Sequence, residues 1–462
     1  MADSSTFDDT GSFSTVGRRT AFRRILESVM QAGRGLVALH RSRAGSPADE
    51  DAPAALCDLC RQLVDHRGEA SGLALASEIL SFYQALSAEQ RSAFFELLSE
   101  RFGPDPKGIM DAADAYRASP RFETLAALAA AVEAPRRKLL RRLNMVPHGT
   151  AELVKMRGQL LTVVPKRPAV RALDSDLRHL LIAWFNRGFL VMDRIDWSSP
   201  ANVLEKIAAY EAVHEIQSWD DLRARLAKDR RCFAFFHPAM PDDPLIFVQV
   251  ALTNEMAFEI GPLIARDRPI VDDRSADTAI FYSISNCHDG LRGISFGHFL
   301  IKQVVEELRR DLVNVKHFLT LSPVPSLRRW ITNTRVEALP QKLQADVALA
   351  RRILDSPQPF NPLEMAEDVQ AVLLRLCAYY LLEAKHDSEP MDPVARFHLA
   401  NGASLERINW AADSSRAGIA RSAGIMVNYV YRLEDIEKNH DRYFSIGTIA
   451  AAAAVRKLAH VR

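Results

Sequence analysis

The sequence predicts an α+β protein, with an all-α helical bundle at the N-terminus followed by a mixed α/β domain. Three observations predict it. From about Thr20 to Val164 the apolar residues recur at i, i+3 and i+4, the period of an amphipathic helix. After that the chain turns to short aromatic and β-branched runs that end at Pro, Asn or Ser. Between the two lies "VPKRPAVRALDSD", whose two prolines and mixed charge have the texture of a domain boundary. The expected division is residues 1–168 and 169–462, with roughly the first 15 residues a disordered tail.

Helical spacing is clearest in "AFRRILESVMQAGRGLVALHRS", "LALASEILSFYQALSAEQRSAFFELLSERF" and "FETLAALAAAVEAPRRKLLRRLNMV". In the last stretch Pro135 breaks one helix and starts the next. Arg136, Arg137, Lys138, Arg141 and Arg142 form a basic run that tempts a nucleic-acid reading. No aromatics interleave to stack bases, and Leu139, Leu140 and Leu143 supply a buried stripe, so the run reads as a solvated helix face. Cys57-Asp58-Leu59-Cys60 has no second pair or histidine partner at zinc-site spacing and reads as core. In the second half "RCFAFFHP", "PLIFVQVAL", "TAIFYSIS" and "VKHFLTLSP" read as strands. Helical segments, among them "FLIKQVVEELRRDLV" and "AEDVQAVLLRLCAYYLLEA", separate several strands, which implies a mixed α/β domain around a central sheet.

Bulk properties narrow the function. The 462 residues are 48% hydrophobic and 25% charged, with a formal net charge of +1, as in an ordinary soluble protein. That balance offers no electrostatic case for nucleic acid or membrane as the main partner. No apolar run reaches the roughly 18 residues of a membrane span. The first twenty residues lack the apolar core of a signal peptide, and "AHVR" is no peroxisomal address. Five scattered cysteines suit a reducing compartment, so the cytoplasm is the expected location.

One connection stands out chemically. A strand over Thr278–Ser285 leads to a bare turn from Arg292 to Gly297, and a helix is expected from near His298. The unpaired N–H groups and positive end of a helix N-terminus can cradle a phosphate. Gly293 and Gly297 would let backbone approach such a ligand closely. On spacing alone a plain strand-to-helix connection is an equally good reading, and the GxxxxGK[ST] and GxGxxG fingerprints are absent. Cys287, His288 and Asp289 do not form a nucleophilic set, because adjacent loop residues point in different directions.

The turn's pattern, Arg-x-x-Ser-x-Gly, resembles the Q/R-x-x-G-x-G/A turn with which GNAT acyltransferases hold the pyrophosphate of coenzyme A. It departs at Ser295, where that pattern has glycine. A wider resemblance runs through roughly residues 150–450. The blocks "AWFNRGFLVMDRIDWSSPANVLEKIAAYEAVH", "GLRGISFGHFLIKQVVEELRRDL", "FLTLSPVPSLRRWI", "DPVARFHLANGASLERINWAAD" and "SAGIMVNYVYRLEDIEKNHDRY" resemble the malonyl-CoA decarboxylase family.

That resemblance implies a GNAT-like catalytic domain behind an N-terminal helical oligomerisation domain. It implies malonyl-CoA as substrate, acetyl-CoA as product, and assembly as a homodimer or homotetramer. It also implies Ser322 and His398 as the catalytic pair. Taken alone, Ser322 reads as a turn-closing serine and His398 as a core histidine in the second turn of a helix begun by Asp392 and Pro393. Arg292, Gly293, Ile294, Ser295, Phe296, Gly297, His298 and Ile301 would contact the CoA moiety, with Asn428 and Tyr431 near the pocket. No metal or other cofactor is expected, because the thioester carbonyl itself accepts the electrons released by decarboxylation. Two other functions compete: a GNAT-type CoA-dependent acyltransferase acting on an amine, and a non-enzymatic helical scaffold.

Overall fold

The computed structural model describes residues 50–294 and 300–460, apart from the side chain of Arg187. The expected helix at residues 21–42 and the expected N-terminal tail lie outside the described residues. The chain divides into two compact units. One joins the described residues up to Asn186 with His288–Ile294, and the other joins Arg187–Cys287 with the described residues from Leu300 onward.

The first unit is helical throughout its described part. Its helices are α1 (Ala52–Asp65), α2 (Glu69–Ala85), α3 (Ala88–Arg101), α4 (Pro106–Ala118), α5 (Phe122–Val132), α6 (Pro135–Leu143), α7 (Gly149–Val163) and α8 (Arg171–Trp184). The long apolar stretch over residues 73–102 is two helices, not one. Ser87 breaks it with a capping box, its side chain accepting the Gln90 N–H while the Gln90 side chain accepts the Ser87 N–H. Pro135 opens α6 as expected. Leu56, Phe94, Phe95, Leu98, Leu139, Leu140, Leu153 and Leu177 meet in one core. α4 and α5 contribute no buried residue, and Met110 and Phe122 on them are exposed.

The basic run of α6 is less solvated than its sequence suggests. Arg136 is buried, and its Nε donates to Asp176 at 2.5 Å, while Arg137 reaches the other oxygen at 2.5 Å. A carboxylate shared by two guanidinium groups therefore ties α6 to α8. The five cysteines are free and buried, and burial pushes the Cys57 thiol up to about 12.

The second unit is built on a mixed sheet flanked by helices. Its strands are β1 (Val191–Ile195), β2 (Arg230–Phe236), β3 (Ile246–Thr253), β4 (Thr278–Asn286), β5 (His317–Thr320), β6 (Ser322–Pro323), β7 (Lys385–His386), β8 (Glu389–Pro390), β9 (Ser404–Asn409) and β10 (Met426–Val430). β7 and β8 form a separate two-stranded ribbon. The main sheet runs β1-β2-β3-β4-β5-β10-β6, with β9 also on β10. Among the described strands only β4 and β5 pair in parallel, in register from Thr278↔His317 to Phe281↔Thr320. A parallel pair needs a crossover, and helix α12 (Leu300–Asp311) lies on that connection.

β2 and β3 are apolar on both faces because both are covered. On one face Ala234, Phe236 and Phe247 pack with Val203, Leu204 and Ile207 of α9 (Ala201–Tyr210). A second cluster joins Ala251, Ile280 and Leu319 to Ile260 and Leu263 of α11 (Ile260–Ile264). α10 (Trp219–Arg225) lies between α9 and β2 in the chain.

Removing the shared acid should expose how much the α6–α8 tie stabilises the helical unit. Asp176→Ala leaves two guanidinium groups facing each other, one of them buried, and should cost about 3 kcal/mol. Urea denaturation of the two proteins measures it, and a difference near zero would mean the two arginines find other partners.

Candidate active site

The end of β5 and the strand beside it create a buried polar cluster in the sheet unit. β5 stops at Thr320, and after Leu321 the chain pairs again as β6, with Ser322 opposite Val427 of β10. Thr320 and Ser322 are two residues apart in extended chain and so face the same side. The Ser322 hydroxyl donates to Thr320 Oγ1 at 2.8 Å. That oxygen also accepts the N–H of Tyr429 at 3.1 Å, which fixes the threonine to β10. Asn428 adds a second tie: its amide donates to the carbonyls of Thr320 (2.7 Å) and Ala257 (3.1 Å), while its own oxygen accepts from Asn409 (2.7 Å).

His398 arrives from the opposite direction on α16 (Pro393–Ala400); α13 (Leu327–Asn333), α14 (Gln341–Leu354) and α15 (Glu367–Leu382) precede it. As expected, Asp392 caps α16, its Oδ1 accepting the N–H groups of Val394 and Ala395 at 3.0 and 2.9 Å. The cap places His398 in the second turn. Its Nε2 lies 3.1 Å from Ser322 Oγ, and its Nδ1 lies 2.8 Å from the Tyr431 hydroxyl. The ring stacks on Tyr429, with centroids 4.7 Å apart and planes 25° from parallel.

Since Ser322 gives its proton to Thr320, it accepts from Nε2–H, and Nδ1 accepts the Tyr431 hydroxyl proton. Both nitrogens are thereby satisfied in a neutral ring. His398 is 2% exposed, and burial pushes its pKa from 6.5 down to about 3. Burial also raises Asp392, to about 6, against the pull of its two backbone N–H donors.

The residues expected at a CoA site fall in different places. Arg292 is exposed and paired with Asp289 at 2.6 Å. Gly293 has φ +75°, a backbone conformation that favours glycine. Ile294 is buried, and all three belong to the helical unit. Ile301 is buried on α12 in the sheet unit. Ser295, Phe296, Gly297 and His298 lie outside the described residues. A short 3-10 turn, Asp289–Leu291, precedes the expected loop.

Sequence reasoning missed Thr320 and Tyr429, although an alternation signal was present. "TLS" and "YVY" each place like side chains two apart on a strand, which is how one face collects hydroxyl and aromatic groups.

Comparison with known proteins agrees with this architecture. The family described as malonyl-CoA decarboxylase C-terminal domain matches residues 188–462, and the malonyl-CoA decarboxylase N-terminal domain matches residues 102–185. The chain is 34% identical over 414 residues to the mitochondrial malonyl-CoA decarboxylase of Anser anser anser, covering 82% of each chain. Crystal structures of malonyl-CoA decarboxylases are similar in fold. That from Rhodopseudomonas palustris is 50% identical with a TM-score of 0.85, covering 88% of this chain and 99% of that one. That from Agrobacterium vitis is 48% identical with a TM-score of 0.80, covering 88% and 100%.

A neutral buried imidazole has a signature in pH. An unfolded histidine takes its proton near 6.5, so the stability contributed by burying His398 neutral is complete above about pH 6.5. It declines as pH falls toward about 3, where the folded ring itself takes a proton. His398→Gln is expected to flatten the acid side of a stability-versus-pH curve measured by urea midpoints. The imidazole ¹⁵N shifts of His398 should stay those of a neutral ring down to about pH 5; a midpoint near 6.5 would show that the ring is hydrated.

Proposed function

The chain belongs to the malonyl-CoA decarboxylase family, and from that premise we propose that it converts malonyl-CoA to acetyl-CoA and CO2 through an enolate protonated by His398 with Ser322 assisting. The observation that carries the reading is the buried Ser322–His398 contact, 3.1 Å from Oγ to Nε2 and framed by Thr320 and Tyr431.

Breaking the C2–C3 bond sends its electron pair into the thioester carbonyl, giving an enolate and CO2. The electron sink is the substrate's own carbonyl, so the proposal calls on no metal or other cofactor. The enolate then takes one proton at C2, and the overall reaction consumes one proton from solvent. A ring depressed to about 3 holds no spare proton at neutral pH. The malonyl carboxylate supplies the correction: an anion beside the imidazole favours the charged ring, so the proton enters with the substrate. Ser322 bonds Nε2 and aims the ring, and its hydroxyl can turn from Thr320 to the substrate carboxylate.

The turn at Arg292–Gly297, with His298 and Ile301, is proposed to hold the CoA moiety. Its support is the positive-φ backbone at Gly293 and a position in the chain between β4 and α12. A GNAT-like character for the sheet unit is proposed on the same β4–turn–α12–β5 order, with β4 and β5 parallel. The proposed domains remain 1–168 and 169–462, the first serving assembly as a homodimer or homotetramer. The α4–α5 hairpin supports assembly, since none of its residues is buried within its own unit. Light scattering at micromolar concentration tests this, and a monomer would contradict it. No helix of the described residues is long and apolar enough to cross a membrane; a cytoplasmic location is proposed, to be tested by fractionation.

Incubation with malonyl-CoA should yield acetyl-CoA and CO2 in equal amounts. Ser322→Ala and His398→Ala should each lower kcat by about 10²-fold or more, the usual scale of a positioned proton donor, with CoA binding retained. Tyr431→Phe keeps the ring packing but removes the Nδ1 partner, and should cost about tenfold. Acyl transfer to an amine with the malonyl carboxyl retained would overturn the reading in favour of an acyltransferase.

A further inference from the structure

Glu211 stands at the end of α9 in the sheet unit and is buried. Its Oε1 accepts the N–H groups of Val213 and His214 at 2.8 and 3.0 Å and the Ser285 hydroxyl at 3.2 Å. Its Oε2 accepts the side-chain amide of Gln249 at 2.6 Å. The Ser283 hydroxyl lies 2.8 and 2.7 Å from the two oxygens. Gln249 in turn accepts the Tyr282 hydroxyl at 2.7 Å. Gln249, Tyr282, Ser283 and Ser285 are all buried. A buried charge is kept only when its lone pairs are filled, and here neutral donors fill both oxygens. An ionised carboxylate accepts on every side and makes the stronger kind of hydrogen bond, so it can converge a loop, β3 and β4 on one point.

These bonds surround an irregularity in the sheet. β3 and β4 pair as Val250↔Phe281 and Gln249↔Ser283, which leaves Tyr282 as one extra residue, a β-bulge. The bulge coincides with the point where β4 parts from β5, the last parallel pair being Phe281↔Thr320. Phe281 therefore ends the regular pairing, and it meets the Ser322–His398 cluster in three ways. It pairs with Thr320, its carbonyl accepts the Leu321 N–H at 3.0 Å, and its ring lies 6.3 Å from that of Tyr431, centroid to centroid. Thr320 holds Ser322, and Tyr431 holds His398. Side chains alternate along a strand, so a bulge displaced by one residue would turn a neighbouring side chain to the opposite face.

We propose that Glu211 is a positioning residue for the decarboxylation: it pins the bulge at Tyr282, which fixes Phe281 against Thr320, Leu321 and Tyr431 and so sets the Ser322–His398 geometry. This rests on the reading that Ser322 and His398 carry the reaction. Glu211 acts through β4 and takes no part in the chemical step. Its charge is what the task requires, because the donors of β3, β4 and the loop after α9 converge only on a group that accepts from all of them.

The test is steady-state kinetics with malonyl-CoA, with the imidazole ¹⁵N shifts of His398 and the melting temperature measured on the same proteins. Glu211→Gln keeps the shape but turns a donor toward Gln249 or toward the Val213 and His214 N–H groups. It should lower kcat about tenfold, the scale of one hydrogen bond to a charged group. KM should stay within about twofold, and the His398 shifts should move. Adding Gln249→Glu rebuilds the amide–carboxylate pair in reverse, and the new carboxylate still accepts the Tyr282 hydroxyl. That double variant should recover most of kcat and return the shifts. Should Glu211→Gln fail to fold, Ser283→Ala removes one donor and leaves the carboxylate; it should lower kcat about threefold and move the shifts the same way. A lower melting temperature with kcat and the His398 shifts unchanged would make Glu211 merely structural and overturn the inference. A double variant that regains stability but not kcat would overturn it too. If His398→Ala leaves turnover intact, the underlying reading falls and takes this inference with it. If His398→Ala abolishes turnover while Glu211→Gln leaves kcat unchanged, the inference fails alone.

Discussion

A neutral imidazole sealed from water constrains everything around it. An unpaired buried ring nitrogen would cost about 1–3 kcal/mol, so His398 needs an acceptor on one side and a donor on the other. Ser322 and Tyr431 fill those places at 3.1 and 2.8 Å. Neither could do so without β10. That strand holds Ser322 through the Val427 pairing, fixes Thr320 through the Tyr429 N–H, supplies the ring on which His398 stacks, and delivers Tyr431 one residue past its end. The Asp392 cap and Pro393 start α16 at the residue that brings the ring to this spot. The central strand and the capped helix are therefore justified by one side chain's hydrogen bonds.

The same burial sets the charge logic of the site. Desolvation takes His398 from 6.5 to about 3. A carboxylate at about 4 Å in an effective dielectric near 20 is worth about 4 kcal/mol, close to three pKa units. The two effects are of equal size and opposite sign. Under the proposed reaction a substrate carboxylate at that distance would return the ring to titration near neutrality, whereas a neutral acyl-CoA would not. In the proposed reaction the proton donor would be charged while the substrate carboxylate is present and neutral after it has passed its proton to C2.

Periodicity made the helical half readable, and Pro135 and the Asp392–Pro393 start were visible because caps and prolines act locally. The four strongly apolar strand runs were readable for a related reason: strands covered on both faces form continuous hydrophobic stretches. β1 escaped because "VMDRI" is mostly exposed and carries charges. β10 escaped because "MVNYV" is short and its polar residue, Asn428, is committed to carbonyls distant in sequence. Ser322 and His398 could be named only through family resemblance, as they are 76 residues apart and nothing local links them. Thr320 was silent because its role lies in one oxygen accepting from Ser322 and from a backbone N–H of another strand.

Arg157 of α7 and Arg178 of α8, which donate to the Gly290, Arg292 and Gly293 carbonyls, were silent for a deeper reason. Their partners are carbonyl oxygens, and any residue provides a carbonyl, so the contact leaves no complementary charge in the sequence. What it leaves is glycine. Gly290 sits where a Cβ would strike the Val154 carbonyl, and Gly293 holds φ +75°. Each also excludes an ordinary side chain, one by contact and one by conformation. The turn carries glycine at two positions where arginines more than 100 residues away in the chain hold its carbonyls. The two arginines add to the backbone bonds the turn makes for itself, from Leu291 to His288, from Arg292 to Asp289 and from Ile294 to Leu291.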